Sequence, residues 1–288
     1  MKQTTGVYQF TMSHLKSGVL FRDGADYILA VNSIALGTLH HAVQVLGYAV
    51  MSNHLHLLLR GTYEDCISFY HFIMRRFAKM LSRKYRLNGI VRENDFHASE
   101  VTDRQMFLNE LAYILRNPYR ARTASPYAYR WSSADVYFNP WLDLVRGTPF
   151  SGMKQAEQRN VLGGHYTVPD TWEHHAGCIL NRCFVDYGYV EKYLEDSLAL
   201  FDKLRVYDLE STVKLSHGYS ETVKFSDAEL QEKINALCRY EYHVKSPHQM
   251  DRKSLLMLAR TLSRRFAASK GQIRRLLGLE DYVLDQLL

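Results

Sequence analysis

Long apolar runs are missing from this 288-residue sequence: no stretch approaches the roughly 18–20 apolar residues of a membrane-spanning helix. The opening MKQTTGVYQF lacks the apolar core of a secretory signal, so no export is expected. Cysteine is sparse: Cys66, Cys178, Cys183 and Cys238 form no dense framework, which argues against a disulfide-stapled secreted domain and for a reducing compartment. HHAGCILNRC (174–183) gathers two histidines and two cysteines, but not at a standard zinc spacing. Internal repeats and low-complexity tracts are absent too. Acid is outnumbered by base, 30 residues to 36, and the formal charge of +6 suggests an anionic partner without proving one. What remains is a globular, cytoplasmic chain, 47% apolar, long enough for one main domain and a smaller one.

The chain reads in three parts. VYQFTM (Val7–Met12) alternates like a strand, and residues 23–39 place Tyr27, Ile28, Val31, Ile34 and Ala35 at helical spacing. AVQVLGYAVM (42–51) reads as a second strand, and a turn through Ser52 and Asn53 leads into a third, His54–Arg60. Residues 63–86 form an amphipathic helix with Cys66, Ile67, Tyr70, Ile73, Phe77, Met80 and Leu81 on its apolar side. A strand at Phe96–Val101 precedes a helix from Asp103 to Asn117. This order, β-α-β-β-α-β-α, predicts an α+β fold of the split βαβ (ferredoxin- or RRM-like) kind, an antiparallel sheet with helices on one face and the other open for a ligand. The core is expected over 1–138. Residues 139–225 show no steady period and read as an irregular extension without an assignable role. Residues 226–288 are helical again, with a capping box at Ser226–Glu229.

Chemistry concentrates in two stretches. In MSNHLHLLLRG (51–61), strand geometry puts His54 and His56 on one face and Leu55 and Leu57 on the other, with Asn53 close by. Two imidazoles are half a metal site or a coincidence, because a catalytic site needs further ligands and an open position. In FLNELAYILRNPYRA (107–121), Phe107, Leu111, Ile114 and Leu115 define the buried stripe. Tyr113 lies opposite them, and Asn117, one turn on, shares its face. Pro118 cannot extend the helix normally, so Asn117 is expected to end it.

Taken together, His54-Leu55-His56, then Tyr113-Ile114-Leu115-Arg116-Asn117-Pro118-Tyr119-Arg120, then Trp131-Ser132-Ser133 resemble the HUH-type single-tyrosine transposases. The likeness is to the IS200-like branch associated with bacterial repetitive extragenic palindromes, over roughly residues 7–138. Ser52 stands where that family often has proline, and Tyr119 where it has a small aliphatic residue. The resemblance implies that Tyr113 attacks a DNA phosphodiester to form a 5′-phosphotyrosine link, conserving the bond energy for strand transfer. It further implies that His54, His56 and Asn117 hold Mg²⁺ or Mn²⁺, and that the DNA is single-stranded or a hairpin.

Cations supply the expected grip on DNA. Arg75, Arg76, Lys79, Arg83 and Arg86 on the 63–86 helix, with Arg116 and Arg120 of the tyrosine motif, are candidates for backbone contacts. Tyr127, Tyr129 and Trp131 could stack on bases or simply pack. In the tail, Arg264, Arg265, Lys270, Arg274 and Arg275 lie in a segment resembling a small helix-turn-helix, with Gly278 near its turn. A nucleoid-associated monomer or homodimer is expected, with no membrane partner. Two rivals predict different products: a non-catalytic hairpin binder, and a metal-dependent nuclease using water as nucleophile.

Overall fold

The computed structural model describes residues 4–12, 19–86, 91, 96–120, 123–204, 227–266 and 268–287. Contacts group the chain into two compact units, residues 1–17 with 24–219, and residues 18–23 with 220–288.

The first unit opens with β1 (Gly6–Met12), α1 (Gly24–His40), β2 (Gln44–Val50), β3 (Leu55–Gly61), α2 (Tyr63–Tyr85), β4 (Phe96–Glu100) and α3 (Arg104–Arg120). Its strands form an antiparallel sheet in the order β2-β3-β1-β4, so the architecture is α+β. Strand register sorts the side chains. Phe10 pairs with Leu57 and Thr11 with His56, which puts Phe10, Leu55, Leu57 and Leu59 on one face. These four are fully buried, each worth about 1.5–3 kcal/mol of transfer free energy. Tyr70 of α2 stacks on Phe10 with ring centroids 5.8 Å apart. Helix α1 packs on α2 so closely that a Cβ on Gly37 would fall 2.5 Å from the Phe69 ring.

The other face carries Gln9, Thr11, His56 and Leu58. It is not left open, as the expectation of helices on one side required. Helix α3 lies on its β2–β3 half, near enough that a Cβ on Gly47 would sit 2.9 Å from Leu111 Cδ1. The stripe Phe107, Leu111, Ile114 and Leu115 is buried, and the apolar ground that receives it is Leu58 and the flat patch at Gly47. A second departure is the end of α3, which runs through Pro118 to Arg120. Pro118 sits in the final turn, where its missing N–H removes one helical bond, and its ring is buried.

Of the segment read as irregular, the described residues 139–204 group with the first unit. It contains β5 (Thr148–Pro149), α4 (Gln155–Leu162), β6 (Glu173–His175), β7 (Cys178–Ile179) and α5 (Tyr187–Leu194), the strands making a small β5-β6-β7 sheet. Polar anchors dock it. Asn32 of α1 is fully buried; its Nδ2 donates to the Val161 and Gly177 carbonyls and its Oδ1 accepts from the Ile179 N–H, all at 2.9 Å. Such anchors leave no hydrophobic period to read. Ser226, the proposed capping residue, lies outside the described residues.

The second unit is helical: α6 (Asp227–Tyr240), α7 (Arg252–Phe266), α8 (Lys270–Leu277) and α9 (Asp281–Leu287). Leu230, Ile234, Leu258, Leu262, Ile273 and Leu284 form its core. A reciprocal Ser269–Gln272 capping box starts α8, and Gly278, at φ 68°, ends it before the short turn into α9. Among the described residues, no helix is long and apolar enough to cross a membrane.

Candidate active site

The turn between β2 and β3 holds the first histidine. Met51 N–H donates to the His54 carbonyl at 2.9 Å, and Val50 pairs with Leu55. The Trp131-Ser132-Ser133 element braces this hairpin from outside. Val50 N–H donates to the Trp131 carbonyl (2.9 Å), Ser133 N–H to the Tyr48 carbonyl (3.1 Å), and Tyr48 N–H to Ser133 Oγ (3.0 Å). The motif therefore pairs with the β2 edge. Tyr129 is buried, with its hydroxyl donating to the Val50 carbonyl at 2.7 Å, so it supports the turn rather than offering a face to a base. Trp131 stacks on Tyr27 at 5.0 Å, and Tyr127 leans on Phe201.

His54 and His56 are 2% and 1% exposed, their ring centroids 4.8 Å apart and their planes nearly perpendicular. His54 Nδ1 lies 2.8 Å from Asn53 Oδ1. An amide oxygen only accepts, so Nδ1 is the donor in this contact. An outer partner of this kind orients a metal-ligating histidine. His56 Nδ1 meets Thr11 Oγ1 at 3.0 Å, and Thr11 in turn accepts from Gln9 Nε2. Thr11 and Gln9 escaped the sequence reading because the β1–β3 register that brings them here cannot be read from either strand alone.

Helix α3 brings Tyr113 to the histidine pair. The Tyr113 ring meets the His56 ring edge-on at 5.3 Å. Asn117 is buried, and its Nδ2 donates to the Tyr113 carbonyl at 3.1 Å, leaving Oδ1 as the atom able to meet a cation. Glu110, one turn before Tyr113, is part-buried. Burial raises its carboxyl pKa, and His97 draws it partly back. Its spacing from Tyr113 was the available signal. Among the described residues, no three of His, Cys, Asp and Glu cluster as a metal site. A metal here would rest on two imidazoles and a neutral amide. Such mixed N and O donors suit Mn²⁺, whereas Mg²⁺ would keep several waters.

The basic candidates divide. Arg75, Lys79 and Arg83 are exposed on α2 and Arg86 just past its end; α2 covers the sheet face opposite His56. Arg76 is turned inward: its Nε donates to Ser33 Oγ (2.8 Å), its Nη2 donates to the Leu162 carbonyl, and its guanidinium lies over the Tyr166 ring. Arg116 is a correction, because at 1% exposure it lies within the protein and presents no charge to a DNA backbone. Arg120 is the last residue of α3. In the second unit Arg264, Lys270 and Arg274 are exposed, while Arg265 pairs with Glu241 (3.2 Å) and Arg275 chelates Asp227 (2.8 and 3.0 Å).

No protein-family model matches the chain, and no curated protein matches it. Among solved structures, a REP-associated tyrosine transposase bound to a REP hairpin is similar, with a TM-score of 0.38 and 15% identity over 44% of this chain and 76% of that one.

Proposed function

We propose that this chain is a metal-dependent single-tyrosine enzyme that cuts and transfers single-stranded DNA, acting on palindromic or hairpin sequence. One observation carries this reading: the Tyr113 ring lies against His56 of a buried His54–His56 pair, with Asn117 one helical turn along. A tyrosine placed only for packing has no need of that company. The strand order β2-β3-β1-β4 supports reading the core as a split βαβ fold.

Tyr113 Oη attacks phosphorus and loses its proton. The O–P bond forms as the P–O3′ bond breaks, the departing 3′ oxygen takes up a proton, and the 5′ phosphate stays on the enzyme. Attack by that 3′ hydroxyl, or another, reverses the step without a nucleotide cofactor. His54, His56 and Asn117 would hold Mg²⁺ or Mn²⁺, which when bound polarises the scissile phosphate and steadies its developing charge. Asn53 and Thr11 fix the two rings, and α3 carries the nucleophile and one ligand on a single rigid element. The working unit is a monomer or a homodimer.

The test incubates the full chain with labelled hairpin and single-stranded DNA from the palindromes flanking its own gene, in Mn²⁺, Mg²⁺ or EDTA, and resolves products under denaturing conditions. A metal-dependent protein–DNA band absent in Tyr113→Phe is the expected result. Cleavage without that band would assign the attack to water. Tight hairpin binding without cleavage would make the chain a non-catalytic binder.

A further inference from the structure

On the other side of the sheet from Tyr113, α1 and α2 form one wall of a cleft of about 940 Å³ whose second wall is the 160–177 segment. Five cations line it, Arg75, Arg76, Lys79, Arg83 and Lys84, and among the described residues Asp26 is the only carboxylate in the lining. Asp26 is neutralised locally: Lys84 Nζ lies 2.7 Å from one carboxylate oxygen and the Tyr85 hydroxyl donates to the other at 2.6 Å. The lining thus carries more cations than it has carboxylate to meet them.

The second wall is held in place. Gly163 ends α4 at φ 68°, and a Cβ there would fall 2.5 Å from Leu29 Cδ1 and 3.3 Å from Arg76 Nη2. Arg76 ties the walls together through Ser33 Oγ and the Leu162 carbonyl, its charge met by neutral acceptors and by Tyr166, over whose ring it lies at 4.6 Å. Arg75, Lys79 and Arg83 recur every fourth residue along the rim, a stripe about 12 Å long. A single phosphate calls for a compact knot of donors. A stripe of this length exceeds the reach of one phosphate and can follow successive phosphates of a backbone.

We infer that this cleft binds the phosphodiester backbone of a single-stranded DNA segment, flanking the segment presented to Tyr113. The choice of DNA rests on the function proposed above; the anion site itself rests on the cleft.

The experiment measures binding of a labelled twelve-residue oligothymidylate to the full chain by fluorescence anisotropy across salt concentrations. Lys79→Glu/Arg83→Glu should weaken binding at least about tenfold and flatten the slope of log K against log salt by about 1.4, two phosphate contacts' worth. Lys79→Gln/Arg83→Gln should flatten it equally, with a smaller loss of affinity. Both side chains are exposed, and unchanged circular dichroism would verify the fold. Arg146→Glu/Lys192→Glu, the same charge change outside the cleft, should stay within about twofold of the parent. Equal losses in the two Glu pairs would overturn the site in favour of a diffuse field. Inorganic pyrophosphate competing mole for mole with the oligonucleotide would overturn the strand in favour of a small anion. Cleft-dependent binding without any Tyr113 adduct would sink the catalytic reading and leave the cleft standing; an adduct with binding indifferent to the cleft would do the reverse.

Discussion

The Tyr113 and His56 rings meet edge to face, centroids 5.3 Å apart and planes at 85°. Such pairs contribute about 0.5–1.5 kcal/mol beyond their buried area. Tyr113→Phe keeps the ring and should melt within about 0.5 kcal/mol of the parent. Its yield of covalent protein–DNA product should fall by roughly 10³ or more, because the nucleophile is gone. Tyr113→Ala should lose both stability and product. Thermal melts alongside denaturing gels separate the two effects.

Metal should stabilise the fold through the same group. With Mn²⁺ at about 100 times its dissociation constant, the melt should gain about 2.7 kcal/mol. Chelator should remove the gain, and His54→Ala or His56→Ala should abolish it. Asn117→Asp, which exchanges an amide for a carboxylate, should bind Mn²⁺ more tightly while giving up the bond from Nδ2 to the Tyr113 carbonyl. A metal response in the His54→Ala/His56→Ala double variant would place the ion elsewhere.

Arg76 and Lys79 are neighbours in sequence with different tasks. Arg76→Ala strands the Leu162 carbonyl, while the Ser33 hydroxyl keeps its bond to the Leu29 carbonyl, and should cost about 1–3 kcal/mol in urea unfolding. Lys79→Ala, on the exposed rim, should change stability by less than about 0.5 kcal/mol.

Asn32 tests the docking of the 139–204 segment. Asn32→Leu removes three hydrogen bonds and leaves two carbonyls and an N–H buried without their partner, at a cost of about 3 kcal/mol or more. Limited proteolysis should then cut within 139–204 well before it attacks the central sheet.

Asp227 gives the second unit an acid-sensitive contact. Burial pushes its carboxyl up, but hydrogen bonds from Arg275 and Gln272 outweigh that and hold its pKa below the ordinary value. A group depressed in the folded state adds stability above its unfolded pKa, near 3.8, and that stability is lost as pH falls through the lower folded value. Both partners are substantially exposed, so screening limits the effect to about a few tenths of a kcal/mol. Asp227→Asn should remove this pH dependence from the acid unfolding of the helical unit.

Local periodicity carried much of this protein. A two-residue repeat placed His54 and His56 on one face, and a 3.6-residue repeat set Tyr113 and Asn117 off from Phe107, Leu111, Ile114 and Leu115, because backbone geometry alone decides which side chains share a face. What that face meets is a different question, and only the tertiary structure answered it. Helix α3 went to the sheet face opposite α2 because Leu58 and Gly47 offer it apolar, flat ground there. The same packing buried Arg116, which in sequence looks like any basic residue beside a tyrosine motif. Arg76 turned inward while Lys79 stayed out, a choice made by Ser33, Leu162 and Tyr166 from distant parts of the chain. The 139–204 segment had no period to read, since Asn32 and similar polar anchors hold it where an apolar stripe would have announced itself.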